Sequence, residues 1–139
     1  MPERLLVGVL IGSESDRERM QSCLDELESR DIPFELEVRS AHRSPDAVAE
    51  YCRGAAGRGL KVLICGAGMA AALPGMAAAY TELPVIGVPL RSEKSAMDGM
   101  DALLAIAQMP PGVPVATVSI DGGRNAAILA ARILALTER

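Results

Sequence analysis

The chain is poor in the residues that most often announce a site. Its 139 residues hold one histidine, three cysteines, two tyrosines, one phenylalanine and no tryptophan. With so few aromatics and half the residues hydrophobic, a core must be built from Leu, Val, Ile, Ala and Met. Cys23, Cys52 and Cys65 show no CxxC or other paired metal-ligand spacing. A sparse, odd set of this kind reads as reduced cytosolic thiols, and Cys65, which ends an apolar run, as a small buried hydrophobe. No apolar run approaches the roughly 20 residues of a membrane span. The first apolar run, Leu5 to Ile11, is too short for a secretory signal and is followed by charge. The expectation is a cytoplasmic protein with no membrane partner. The formal net charge of −4 argues against nonspecific binding to nucleic acid. It leaves room for an anionic small molecule held by a local cation.

What is present is a regular alternation. Strand-length apolar runs fall at Leu5 to Ile11, Val62 to Cys65, Val85 to Val88 and Val113 to Ile120, and a weaker alternating run at Phe34 to Val38. Continuous apolar runs fit a parallel sheet covered on both faces, and the alternating one fits a place nearer an edge. Helical patterns lie between them, at Asp16 to Ser29, Pro45 to Arg58, Leu73 to Thr81, Met97 to Gln108 and Asn125 to Thr137. Pro45 suits a first helical turn, and Gly59 a helix end. Residues 1–139 thus read as a single domain of three α/β/α layers. Its five-stranded parallel sheet is predicted to be flavodoxin-like, in the order 2-1-3-4-5. Ligands of such sheets bind beyond the carboxyl ends of the strands, at the switch point between strands 1 and 3. The loops after strands 1, 2 and 3 are therefore expected to share one pocket.

Those loops carry the candidate chemistry. After strand 1 comes Gly12-Ser13-Glu14-Ser15-Asp16. Gly12 allows a tight turn. Ser13 and Ser15 offer hydroxyls beside free N–H groups at a helix start, a combination suited to phosphate. Asp16 can accept hydrogen bonds from a ribose diol. Taken alone, ordinary helix capping is the more common reading of the same residues, and the two roles can coexist. After strand 2 comes Ser40-Ala41-His42-Arg43-Ser44-Pro45. His42 is the one side chain whose ordinary pKa lies near neutrality, and Arg43 beside it is a bidentate anion ligand. A lone histidine is more often structural than catalytic, but its place at a strand end beside an arginine reverses that preference. After strand 3 comes Gly66 to Gly75, with mostly small side chains around Gly68. It superficially matches GxGxxA. It follows the wrong strand for a dinucleotide fingerprint, however, and lacks the ribose-binding acid about 20 residues on. Close approach of backbone to a ligand and tight helix–sheet packing both remain open for it.

Taken together, these segments resemble the 5-(carboxyamino)imidazole ribonucleotide mutases of purine biosynthesis. The matching stretches are Gly12 to Asp16, Ser40 to Pro45, Gly66-Ala67-Gly68 with Leu73-Pro74-Gly75-Met76, Gly87-Val88-Pro89, Gln108-Met109-Pro110 and Asn125-Ala126-Ala127. Each is weak alone; the ordered set spans nearly the whole chain. The resemblance implies a flavodoxin-like fold, a homo-octamer with sites at subunit contacts, and a carboxylate moved from the exocyclic nitrogen to ring carbon 4. It implies no cofactor, whether ATP, metal or biotin. By position, Ser13, Ser15, Ser40 and Arg43 would hold the phosphate and Asp16 the ribose. Gly68 and Leu73 would line the imidazole and carboxylate pocket, and His42 would be the general acid/base.

Two places depart from the family pattern. Ala72 stands where the family usually has a histidine before Leu-Pro-Gly, and the stretch Leu90 to Gly99 is longer and more charged than usual. Ala72 keeps two alternatives open: a related carboxylase or decarboxylase acting on this or another nucleotide, and a nucleotide-binding relative with little catalysis. Arg43-Ser44-Pro45 and Leu73-Pro74-Gly75 favour the mutase branch over the branch that carboxylates aminoimidazole ribonucleotide directly.

Overall fold

The computed structural model describes residues 4–137. Its strands are β1 (Val7–Ile11), β2 (Phe34–Val38), β3 (Val62–Gly68), β4 (Val85–Leu90) and β5 (Ala116–Thr117). They form one parallel sheet in the order β2-β1-β3-β4-β5. The helices are α1 (Gln21–Ser29), α2 (Pro45–Ala55), α3 (Leu73–Tyr80), α4 (Met100–Ala107) and α5 (Gly123–Thr137). None is long and apolar enough to cross a membrane.

The continuous apolar strands are explained by two cores. Side chains alternate across a strand, so a strand buried on both faces needs apolar residues at every position. Val7, Val9 and Ile11 of β1 join Val62, Ile64, Ile86 and Val88 in one core, under Cys23, Leu24 and Leu27 of α1 and Ala126, Ala127 and Ala130 of α5. Leu10, Leu63 and Cys65 point the other way, into a core with Val48, Tyr51 and Cys52 of α2, Leu73 and Ala77 of α3, and Ala102 and Ile106 of α4. Each large side chain removed from water there contributes about 1.5–3 kcal/mol. The three cysteines are free and buried, and burial pushes the thiols of Cys23 and Cys52 up to about 12 and about 11. The thiol of Cys65 is also raised by burial.

Several predicted boundaries move, for local reasons. The stretch read as one helix from Asp16 begins instead with two 3-10 turns, Glu14–Asp16 and Glu18–Met20, before α1. The Ser13 hydroxyl accepts the Ser15 N–H and stabilises the tight first turn. Gly12 has no positive φ, and a Cβ there would meet nothing within 4 Å, so the turn does not depend on glycine. Strand 5 shrinks from Val113–Ile120 to two residues paired with Ile86 and Gly87. It lies at the sheet edge with one neighbour, and Pro114 has no N–H to give. The helix after strand 4 starts at Met100, because Gly99 (φ 93°) ends a folded loop there.

Candidate active site

The carboxyl ends of β1, β2 and β3 open onto one cavity of about 620 Å³. Its walls hold Gly12, Ser13, Ser15 and Asp16 from the first loop and Ser40, His42 and Arg43 from the second. Gly68 to Leu73 come from the third. Every candidate site residue named from the sequence therefore lies on this cavity.

The loops are built so that their polar groups stay available. Ser13 and Ser15 share a hydroxyl–hydroxyl contact of 2.9 Å, and the Asp16 N–H donates to the Ser13 carbonyl at 3.0 Å. In the second loop the Ser40 hydroxyl accepts the Arg43 N–H at 3.1 Å, and the Ser40 carbonyl accepts the Ser44 N–H at 2.9 Å. This closes a turn whose tip carries His42 and Arg43, both exposed to the cavity mouth. Pro45 then starts α2 without needing an N–H partner. Among the described residues no carboxylate lies within ion-pair distance of Arg43. Its charge is free for an anion in the cavity.

Asp16 is half-buried. Burial holds its carboxyl above the ordinary value, while the Ser13 backbone and the charges of Arg19 and Arg43 pull it back. A carboxylate so placed gains by accepting hydrogen bonds from a ligand's hydroxyls.

Gly66 and Gly68, expected in the third loop, lie instead in β3, which runs on to Gly68, and they divide between the two sequence readings. A Cβ on Gly66 would lie 2.7 Å from Met20 Sδ, so that glycine serves packing under α1's approach. Gly68 lines the cavity, and a Cβ there would press to 3.2 Å on the Leu90 carbonyl of the neighbouring strand end. The left-handed residue of the loop is Met69 (φ 55°), which is not a glycine. Such a backbone costs of order 1 kcal/mol and turns the chain sharply from β3 toward α3. Ala72 lines the cavity, half-buried, at the N-cap of α3 with no side-chain cap bond.

A fourth wall went unassigned in the sequence reading. Arg91, Ser92, Glu93 and Lys94 after β4, and Arg19 before α1, also line the cavity. The extra charge of the Leu90 to Gly99 stretch was the available signal, since β4 neighbours β3 and its loop must reach the same rim. No group of three His, Cys, Asp or Glu placed to hold a metal occurs among the described residues.

The chain is similar to known proteins over nearly its whole length. The family model described as AIR carboxylase matches residues 6–139. The chain is 58% identical over 132 residues to the N5-carboxyaminoimidazole ribonucleotide mutase of Mycobacterium tuberculosis, covering 95% of this chain and 75% of that protein. It is 54% identical over 133 residues to the phosphoribosylaminoimidazole carboxylase of Schizosaccharomyces pombe, covering 96% of this chain but 24% of that longer protein. Among solved structures it is similar to Treponema denticola PurE, with a TM-score of 0.84 and 31% identity over 97% of this chain and 83% of the other.

Proposed function

Because the chain belongs to the AIR carboxylase family, we propose that it is an N5-carboxyaminoimidazole ribonucleotide mutase in purine biosynthesis, with residues 1–139 as its catalytic domain. The observation that carries this reading is the cavity itself. The only imidazole in the chain, Arg43 (without a carboxylate partner among the described residues) and the hydroxyls of Ser13 and Ser15 share it with Gly68 and the small side chains of Ala70 to Ala72.

The chemistry needs little else. The carboxylate on the exocyclic nitrogen leaves as carbon dioxide, and its electron pair stays on nitrogen, which takes up a proton. Ring carbon 4 of the resulting aminoimidazole ribonucleotide then attacks the trapped carbon dioxide and loses its own proton. His42 carries the proton between the two sites, a role typically worth 10²–10⁴-fold. Ser13, Ser15, Ser40 and Arg43 hold the phosphate, Asp16 the ribose, and Gly68 and Leu73 the ring and carboxylate. Tight walls keep carbon dioxide beside carbon 4, where proximity replaces a collision. No cofactor takes part in these steps. The protein acts in the cytoplasm as a homo-octamer.

A second reading has its own support: direct carboxylation of aminoimidazole ribonucleotide, the activity in the name of the Schizosaccharomyces pombe relative. One assay separates them. The purified chain should convert the carboxyamino substrate to the 4-carboxy product without ATP or bicarbonate. Turnover only of the free amine, and only with added carbon dioxide, would replace the mutase by the carboxylase. Absence of both reactions would leave a binding protein. In the mutase assay Ala72→His should change the rate by less than tenfold. A larger rise would mean that Ala72 removes a contributing group worth about 1.4 kcal/mol or more of the barrier.

A further inference from the structure

Asp121 does not line the cavity, yet it touches both arginines of the fourth wall. Its Oδ2 lies 3.7 Å from Arg19 Nη1 and 3.6 Å from Arg91 Nη1. Its Oδ1 accepts the Arg91 backbone N–H at 3.0 Å, and its own N–H donates to the Pro89 carbonyl at 2.7 Å. Asp121 is thus tied to the end of β4 through both its backbone and its side chain. The backbone adopts φ 57°, a left-handed conformation that asparagine and aspartate tolerate best among residues with a Cβ.

The surroundings hold Arg91 in the same arrangement. Its Nε faces Asp98 Oδ1 at 3.4 Å, and its stem packs against Gly99, where a Cβ would come within 3.2 Å of Arg91 Cγ. The loop beneath is pinned by Asp101, which accepts the Ser95 hydroxyl at 2.6 Å and the Ala96 N–H at 3.2 Å. Arg19 and Arg91 come from different loops, and as like charges they repel. One carboxylate between them offsets that repulsion and lets both guanidinium groups stand at one rim. Arg19 precedes α1 and Asp121 precedes α5, the two helices on one face of the sheet, whereas His42 precedes α2 on the other.

We propose that Asp121 is a positioning residue for substrate binding: it clasps Arg19 and Arg91 into a cationic wall, across the cavity from His42, that draws in and holds an anionic ribonucleotide. The inference rests on the proposed function for the identity of that ligand. Asp121→Asn tests it, because asparagine keeps the left-handed backbone and an oxygen for the Arg91 N–H, and replaces the charged oxygen that faces the two arginines with a neutral NH2. KM for the carboxyamino substrate should rise about tenfold, with kcat changed less than twofold. On an Arg19→Gln/Arg91→Gln background the same change should shift KM less than twofold, since a residue that acts through two others has no further effect without them.

An unchanged KM in Asp121→Asn would overturn the inference. So would a lower KM, which would make Asp121 a screen of the wall and not its support. A full effect retained on the double background, or a fall in kcat at constant KM, would also overturn it. Calorimetric titration with aminoimidazole ribonucleotide gives the same ratio without turnover. Weaker binding in Asp121→Asn beside a wild-type chain that does not isomerise the substrate would sink the proposed function and keep this inference. Equal binding beside normal wild-type turnover would do the reverse.

Discussion

The arginines along the edge of the sheet and Arg43 at the cavity do opposite things. Along the outer edge of the sheet, Arg58 donates to Glu35 at 2.8 Å, Tyr51 donates to the same carboxylate at 2.5 Å, and Arg39 donates to Glu37 at 2.7 Å. Arg39 and Arg58 also lie 5.6 and 5.5 Å from the centre of the Tyr51 ring. Gly8 in β1 makes room for this arrangement, since a Cβ there would collide with the Tyr51 hydroxyl. At the cavity, by contrast, Arg43 has no carboxylate partner among the described residues, and His42 stands exposed at a turn tip. Charge answered by internal partners holds an edge strand to a helix. Charge left unanswered beside a cavity is available to a ligand. The two regions should therefore respond to mutation in different currencies, stability in one and turnover in the other.

The sharpest break of that contrast is at His42. His42→Asn should lower kcat by roughly 10²–10⁴-fold, the usual worth of a general acid/base. It should move the stability by no more than about 0.5 kcal/mol, as is usual for an exposed position. Wild-type turnover at saturating substrate in this variant would remove His42 from the mechanism. Arg43→Gln comes next. A hydrogen bond to a charged group contributes about 1.5–3 kcal/mol, so KM should rise roughly 10- to 150-fold with an unchanged melting temperature. A variant that melts earlier but binds substrate normally would place Arg43 with the structural arginines.

The same contrast explains what could be read from the sequence. The sheet order was legible because the apolar runs of β1, β3 and β4 are continuous, and β2 was legible as an edge because Glu35 and Glu37 interrupt it. The cavity followed from topology, since strand order places the loops after β1, β2 and β3 together. The edge cluster did not follow. Glu35 and Tyr51 are 16 residues apart and Glu35 and Arg58 are 23 apart, and their meeting depends on how α2 lies on β2. Arg19 and Arg91 were missed for a related reason. Each looks like an ordinary surface cation until the fold brings Asp121 between them. Strand 5 is shorter than its apolar run suggests because none of residues 113–120 is buried, and only two of them find register with β4.

The smallest effect tests the structural side of the comparison. Burial alone would raise the Glu35 carboxyl, but the donors Arg58 and Tyr51 and the charge of Arg39 outweigh it and hold it below its ordinary value of 4.5. A carboxylate whose pKa is depressed in the folded state contributes stability above its unfolded pKa. That stability is lost as the pH falls through the folded value. Tyr51→Phe removes one of the two donors from this half-buried carboxylate and leaves the ring in place. It should cost about 1–2 kcal/mol at pH 7, read by denaturant unfolding, with kcat and KM unchanged. As the pH falls below 4.5 and through the lower folded value, wild type and variant should converge, because protonated Glu35 no longer favours the wild-type site as strongly. An equal cost at pH 7 and pH 3 would mean that the Tyr51 hydroxyl contributes through packing against β1 and not through the Glu35 charge. A loss of turnover in Tyr51→Phe would show that the edge cluster and the cavity are coupled, and the contrast between the edge arginines and Arg43 would no longer hold.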